Sequence, residues 1–249
     1  MARVVLTQPL PRIAGIGRAL RARGLSVLEL PFARLVPELP PELASQVESA
    51  DWVIVVSPAA LTFLLDALQD RWPGRAGLAV VGPGSLASLQ SRHLSGAPSS
   101  IVSPGTPPWD AASLINTPPF LAPDGLRCLV IRGDGGGELW IDSLRDRGAL
   151  VKVLPIYRRR AVEPATEIIE ALRSWTADVE PIDWVFTQTA TIAGCRKLLG
   201  ERFGTQRSER DRALVVHARI ADEARAAGFH HVAMIEPGVE ALASALESG

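Results

Sequence analysis

The sequence predicts an α/β protein built as two doubly wound parallel-sheet domains, one of them discontinuous. Short apolar runs alternate with segments of helical periodicity along nearly the whole chain, the pattern of strands joined through crossover helices. A second observation sets the division into domains. Leu20-Arg21-Ala22-Arg23-Gly24 reappears as Leu144-Arg145-Asp146-Arg147-Gly148, and in each copy a proline, Pro31 or Pro155, follows the glycine by seven residues. Each copy reads as a last helical turn, a glycine cap, a short strand and a proline that stops the strand. The repeat marks two crossings, so one domain interrupts the other, with Tyr157 at the seam.

The elements follow in order. Arg3 to Leu6 is a strand ending in Thr7-Gln8-Pro9, and Ile13, Ile16 and Leu20 give the next segment, to Arg23, a helical face. Leu25 to Leu30 is a strand, and the proline-rich stretch Pro31 to Pro41 is an extended linker. Trp52 to Val56 is apolar on both faces, as a central parallel strand is, and Ser57-Pro58 supplies a helix cap with proline at the first helical position. Leu78 to Val81 is the next strand, followed by Gly82-Pro83-Gly84-Ser85 and a helix through Leu89. After a short strand, Ser100 to Val102, the segment Trp109 to Ile115 reads as helical. Arg127 to Ile131 is a strand with a glycine-rich exit, Arg132 to Gly137. A helix from Glu138 to Arg147 and a strand from Ala149 to Leu154 follow it. Beyond the seam come a helix at Glu167 to Trp175, a strand at Asp183 to Phe186 and a helix ending at Leu199. The charged stretch Glu201 to Arg212 reads as a solvated connection. Leu214 to Val216, a helix at Arg219 to Ala227 capped by Gly228, and a last strand at His231 to Ile235 complete the chain.

Composition narrows the function. The 249 residues suit one or two domains with real cores. With 26 basic against 27 acidic residues, there is no charge excess to attract nucleic acid. The longest apolar stretch, Trp52 to Leu68, is broken by Ser57-Pro58 and carries Asp66, so no membrane span is expected. The start of the chain lacks the basic and apolar regions of a signal peptide. Cys128 and Cys195, one in a strand run and one in a helical run, read as reduced core thiols, which suits a cytoplasmic protein.

In doubly wound sheets the functional loops lie at the carboxyl ends of the strands. Here those ends are Thr7, Ser57, Gly82 to Ser85, Arg132 to Gly137, Thr187 to Thr189 and His217 to Arg219, nearly all preceding a helix. Small polar residues cap helices everywhere, but so many on one edge also offer backbone amides and helix dipoles to an anion. More specific chemistry is missing. Gly82 to Ala87 fits the loose dinucleotide pattern, yet no carboxylate stands near Ile101 to hold a ribose. Arg132 to Gly137 lacks the Lys-Ser/Thr ending of a phosphate loop. His93, His217, His230 and His231 have no two-histidine helical spacing, and no Gly-x-Ser-x-Gly elbow occurs. No metal and no cofactor are expected. Tyr157, the single tyrosine, can pack its ring and anchor its hydroxyl, or it can give a proton to a leaving group.

Taken in order, Thr7-Gln8-Pro9, Val56-Ser57-Pro58, Val81-Gly82-Pro83-Gly84-Ser85, Ile131-Arg132-Gly133, Val153 to Arg158, Phe186-Thr187 and His217-Ala218-Arg219-Ile220-Ala221 resemble the uroporphyrinogen-III synthase family over nearly the whole chain. The resemblance implies two similar α/β domains joined by a two-stranded connector. The expected boundaries are residues 1–32 with 163–249 for the discontinuous domain, 37–154 for the inserted one, and 31–37 and 154–163 for the connector strands. It implies a cofactor-free cytoplasmic lyase of heme biosynthesis that closes hydroxymethylbilane to uroporphyrinogen III, inverting the last pyrrole ring. Tyr157 matches the family tyrosine proposed to help the hydroxyl leave. Thr7, Gln8, Ser57, Pro58, Ala59, Gly82, Gly84, Ser85, Arg132, Gly133, Asp134, Thr187, Gln188, Thr189, His217, Arg219 and Ile220 fall at the implied substrate contacts, made largely through backbone amides. Gln8, Ala59, Gln188 and Gly137 depart from the family's usual Arg, Asn, Ser and Arg, removing positive or polar groups. A monomer is expected, with hydroxymethylbilane synthase as the candidate partner that hands over an unstable substrate. Two other readings fit the same loops: a diverged, noncatalytic tetrapyrrole-binding protein, and a different two-domain enzyme for a small anionic or nucleotide ligand.

Overall fold

The computed structural model describes residues 2–10, 12–178, 180–202 and 207–247. The chain divides into two compact units, Met1–Leu35 with Arg160–Gly249, and Val36–Arg159. The first unit begins with β1 (Arg3–Leu6), α1 (Arg12–Ala22) and β2 (Ser26–Glu29). Gly24 takes a φ of +81° just after α1, a left-handed position that a side chain would strain, and the chain turns there to lay β2 parallel to β1. β3 (Ala33–Pro37) then leads into the second unit.

That unit runs α2 (Leu43–Ser49), β4 (Trp52–Val55), α3 (Pro58–Ala67), β5 (Gly77–Val80), α4 (Pro83–Gln90), β6 (Ile101–Val102), α5 (Ala111–Leu114), β7 (Arg127–Gly133), α6 (Leu139–Asp146) and β8 (Leu150–Ala161). Val53, Ile54, Val55, Leu78, Ala79, Val80, Val130 and Ile131 are wholly buried, because helices cover both faces of a parallel sheet. The order is β3-β8-β7-β4-β5-β6. From β4 the sheet grows one way through β5 and β6, then the other way through β7 and β8, so its direction of winding reverses between β4 and β7. Ile141 and Leu144 anchor α6 on this sheet, each stabilising by about 1.5–3 kcal/mol.

Two sequence expectations change here. Pro155 is expected to separate a strand ending at Leu154 from the connector strand 154–163, but the two are one continuous strand, β8, that runs through Pro155 to Ala161. Arg132 lies opposite Pro155 and Gly133 opposite Tyr157, so Ile156 is an extra residue in a bulge. Proline has no N–H for the ladder, and the strand absorbs that defect by shifting register. The ladder on its other side continues, with Glu38 N donating to Ile156 O at 2.8 Å. α2 was not foreseen: it spans only two turns and has no side-chain cap, though Leu43 and Val47 are buried four residues apart.

The chain then completes the first unit with α7 (Thr166–Ala177), β9 (Asp183–Phe186), α8 (Thr189–Arg202), α9 (Arg207–Arg210), β10 (Arg212–Val215), α10 (Ala218–Ala226), β11 (His231–Met234) and α11 (Val239–Glu247). Its five parallel strands run β11-β10-β9-β1-β2, reversing between β1 and β9. Alternate residues feed two cores. Val5, Trp184 and Phe186 pack with Leu172, Cys195 and Phe229 on one face, while Val4, Leu6 and Val185 pack with Ile13, Leu20 and Leu246 on the other. α11, which carries Leu246, was also not foreseen.

The stretch Glu201 to Arg212 is not simply solvated, although its residues 203–206 lie outside the described ones. Asp211 is completely buried. It accepts hydrogen bonds from Ile182 N at 3.0 Å and from the Trp184 indole nitrogen at 2.8 Å. A buried indole N–H requires an acceptor, and this carboxylate provides it.

Candidate functional site

The reversal between β4 and β7 is where a doubly wound sheet opens a crevice, and the second unit has a cavity of about 190 Å³ there. Val56 and Ser57 leave β4, Arg132 and Gly133 end β7, and Tyr157 and Arg159 come from β8, all lining the cavity with Gly135, Gly136, Gly137 and Trp140. Ser57 reaches this place as the N-cap of α3, its Oγ accepting from Ala60 N at 3.1 Å, with Pro58 starting the helix.

Tyr157 is almost fully buried. Its hydroxyl stands 3.2 Å from Ser57 Oγ, and its ring is 5.5 Å from the Phe63 ring. The ring lies directly on Gly133. A Cβ on that glycine would stand 2.4 Å from Tyr157 Cζ and 2.8 Å from its Oη, so only glycine fits. The Arg159 guanidinium carbon is 5.9 Å from the ring centroid, within cation–π range. Tyr157 therefore has its ring fixed on several sides and its hydroxyl held at a cavity wall.

Around it the loop after β7 is tied to β8. Asp134 N donates to Tyr157 O at 2.9 Å, and Arg159 N donates to Asp134 Oδ1 at 3.1 Å. Asp134 thus spends its carboxylate on holding the loop. Arg132 is nine-tenths buried. Its Nη2 donates to Glu138 Oε1 at 3.1 Å, while its Nε is buried and has no hydrogen-bond partner. Of the other expected contacts in this unit, Ala59 lies in the first turn of α3, and Gly82, Gly84 and Ser85 open α4 at the end of the neighbouring β5. These residues share the carboxyl edge with Tyr157 but do not line its cavity.

In the first unit the expected residues gather at the ends of β1, β9 and β10. Thr7 is buried, donating its hydroxyl to Val185 O at 2.7 Å and lying 3.2 Å from the Thr191 hydroxyl. That hydroxyl is engaged in joining β1 to β9. Gln8 is also buried, and its Oε1 has no partner. Thr187 and Gln188, between β9 and α8, and Thr189, which opens α8, are half-buried. His217 caps α10, its Nδ1 accepting from Arg219 N at 3.2 Å, and Ile220 is buried in that helix.

Arg159 and Trp140 line the cavity and Glu138 pairs with Arg132, yet none of the three is among the contacts the sequence points to. Tyr157 and Arg159 are two residues apart in one strand, and a period of two places such residues on one side. Among the described residues, no group of His, Cys, Asp and Glu is arranged to hold a metal, and no helix is long and apolar enough to cross a membrane.

The Tyr157 hydroxyl, two guanidinium groups and a glycine-rich loop thus line one cavity. The family model described as uroporphyrinogen-III synthase HemD matches residues 15–244. The chain belongs to the uroporphyrinogen-III synthase family. Uroporphyrinogen-III synthases of Salmonella typhimurium LT2 and Escherichia coli K12 are each 28% identical to it, over 240 and 238 residues, covering 92% of this chain and 93% of theirs. In fold it is similar to the uroporphyrinogen-III synthetase of Helicobacter pylori 26695, with a TM-score of 0.61 at 16% identity and full coverage of both chains. A mutant uroporphyrinogen III synthase of Thermus thermophilus gives a TM-score of 0.53 at 19% identity, covering all of this chain and 97% of that one. Uroporphyrinogen-III synthases are enzymes of heme synthesis, and the Tyr157 cavity lies within the matched region.

Proposed function

We propose that the chain converts hydroxymethylbilane to uroporphyrinogen III, acting as a cyclising lyase that releases water. The observation that carries this reading is the Tyr157 hydroxyl, seated on Gly133 and 3.2 Å from Ser57 Oγ at the reversal of the sheet, in a chain of this family. Ser57 Oγ already accepts from Ala60 N. A serine hydroxyl has one proton and two lone pairs, so Ser57 can donate to Tyr157 Oη and leave the tyrosine's own proton free for the substrate.

In the proposed reaction Tyr157 gives that proton to the departing hydroxyl. The carbon–oxygen bond breaks, water leaves, and the terminal pyrrole becomes an electrophilic azafulvene. The substituted carbon of the last ring attacks it, forming a spiro intermediate that fragments and recloses with that ring inverted. The proton released as the macrocycle regains its pyrroles returns to the tyrosinate. Unassisted closure gives the uninverted isomer, so the protein's main task is to hold the folded pose. Helix-starting amides at the strand ends suit the substrate's carboxylates, and they do not depend on the side chains at Gln8, Ala59, Gln188 or Gly137.

The test is product analysis. Purified protein is added to freshly made hydroxymethylbilane, and the oxidised type I and type III macrocycles are separated. Type III in excess over protein supports the reading; only type I, at the spontaneous rate and from folded protein, refutes it.

A further inference from the structure

The cavity beside Tyr157 contains a contact that the reaction does not explain. Arg132 is nearly buried, with 10% of its side chain exposed, yet its partner Glu138 is 61% exposed. Its Nε is buried without a partner. A buried guanidinium is commonly matched by a carboxylate in two parallel bonds, and Glu138 supplies one oxygen to one nitrogen at 3.1 Å. The remaining wall is open on the loop side. Gly136 has a φ of +117°, and a Cβ there would stand 3.9 Å from Arg132 Nη1, while Cβ atoms on Gly135 and Gly137 would meet nothing within 4 Å. Arg159 adds a second positive group on the Tyr157 side.

Size decides what this cavity takes. Sites that enclose a whole drug-sized ligand are about 300–1,000 Å³, and 190 Å³ is too small for a tetrapyrrole but ample for one of its side arms. Resting on the function proposed above, we propose that this is a pocket for a single substrate carboxylate. Glu138 holds its place on Arg132 until the substrate arm displaces it. The exchange replaces one carboxylate by another, so the guanidinium is never left without a counter-charge, which would be costly at a buried site. It also places the bound arm against the wall that holds the Tyr157 hydroxyl, linking correct seating of the substrate to the proton donor.

Propionate serves as the probe, at constant ionic strength, with backbone amide spectra of the full-length protein as the readout. Saturable shifts are expected at the amides of Gly133, Gly135, Gly136 and Gly137. Glu138→Gln removes the competing charge and should tighten propionate by about two- to fivefold, the range that a half-exposed ion pair supports. Arg132→Lys keeps the charge but loses the fork and should weaken it about tenfold or more, with the same spectra reporting that the fold persists. Absence of saturable shifts overturns the pocket. Unchanged or weaker binding in Glu138→Gln overturns the displacement, and tighter binding of inorganic phosphate than of propionate overturns the carboxylate assignment. The titration needs no turnover, so its failure is separable from that of the proposed reaction: protein that makes type III but ignores propionate retains its function and loses this pocket.

Discussion

Replacing Gly133 by alanine should damage the site more than the fold. The added Cβ would stand 2.4 Å from Tyr157 Cζ, 2.5 Å from Cε2 and 2.8 Å from Oη, whereas carbon atoms pack best at about 3.5–4.0 Å. The ring must therefore retreat by roughly an ångström. Phe63 lies 5.5 Å away, centroid to centroid, and Ser57 Oγ 3.2 Å from the hydroxyl, so a shift of that size disturbs the contacts that hold the ring and its hydroxyl. Overpacking of this kind costs about 1–3 kcal/mol, which lowers the melting temperature of a chain this long by about 2–12 °C. A displacement of that size in a catalytic group costs about 100-fold in rate, more than the lost stability would suggest. Thermal unfolding and the rate of type III formation would be measured on Gly133→Ala alone and on the same change in a Tyr157→Leu background. With the ring gone the methyl has room, so the destabilisation should shrink by at least about 0.5 kcal/mol. Equal destabilisation in both backgrounds would refute the argument that Gly133 is glycine because Tyr157 rests on it.

Three further outcomes are expected. Tyr157→Phe keeps the ring against Phe63 and Gly133 but loses the proton, so type III formation should fall by about 100-fold or more with little change in melting; full activity would eliminate the acid role and leave the family assignment standing. Asp211→Ala leaves the Ile182 amide and the Trp184 indole without their acceptor, at about 1–3 kcal/mol for each group, and a urea midpoint equal to that of the parent would show that these bonds do not stabilise the fold. Burial, with a smaller contribution from Asp51, pushes the Cys128 thiol up to about 11, and burial with Asp211 raises Cys195 as well. Both thiols should resist alkylation at pH 8 until the chain unfolds. Because the unfolded thiols ionise first, their contribution to stability is intact below about pH 9 and should erode as pH rises toward 11, a loss that urea titrations across that range would detect.

Much of the fold was legible because central parallel strands are apolar on both faces and end in recognisable caps. Val53 to Val55 followed by Ser57-Pro58 is an example. Asp211 was not legible. Its reason for being buried is the indole of Trp184, 27 residues away, and within its own neighbourhood it is one more charge in a charged run. α2 was missed for a local reason, since it is short and has no capping side chain, whereas α11 carries Leu242, Ala243 and Leu246 at helical spacing and was there to be read. The chemistry divides in the same way. Tyr157 could be singled out as the lone tyrosine, whereas Glu138 becomes interesting only once Arg132 is seen to be buried beside it.

Pro155 shows how a misread residue can account for a correct one. It suggested a break between the strand ending at Leu154 and the connector strand 154–163, and the two are one strand. Its consequence is the bulge that pairs Arg132 with Pro155 but Gly133 with Tyr157. In an unbulged ladder Gly133 would face Ile156, and because side chains alternate with a period of two, a slip of one residue sends each to the opposite face of the sheet. The extra residue therefore does two things at once: it buries Ile156 completely, and it brings the tyrosine onto the one position along β7 that has no side chain. From there its hydroxyl reaches Ser57 at the end of β4. The proline that interrupts the hydrogen-bond ladder is thus what aligns the candidate proton donor with the reversal point of the sheet.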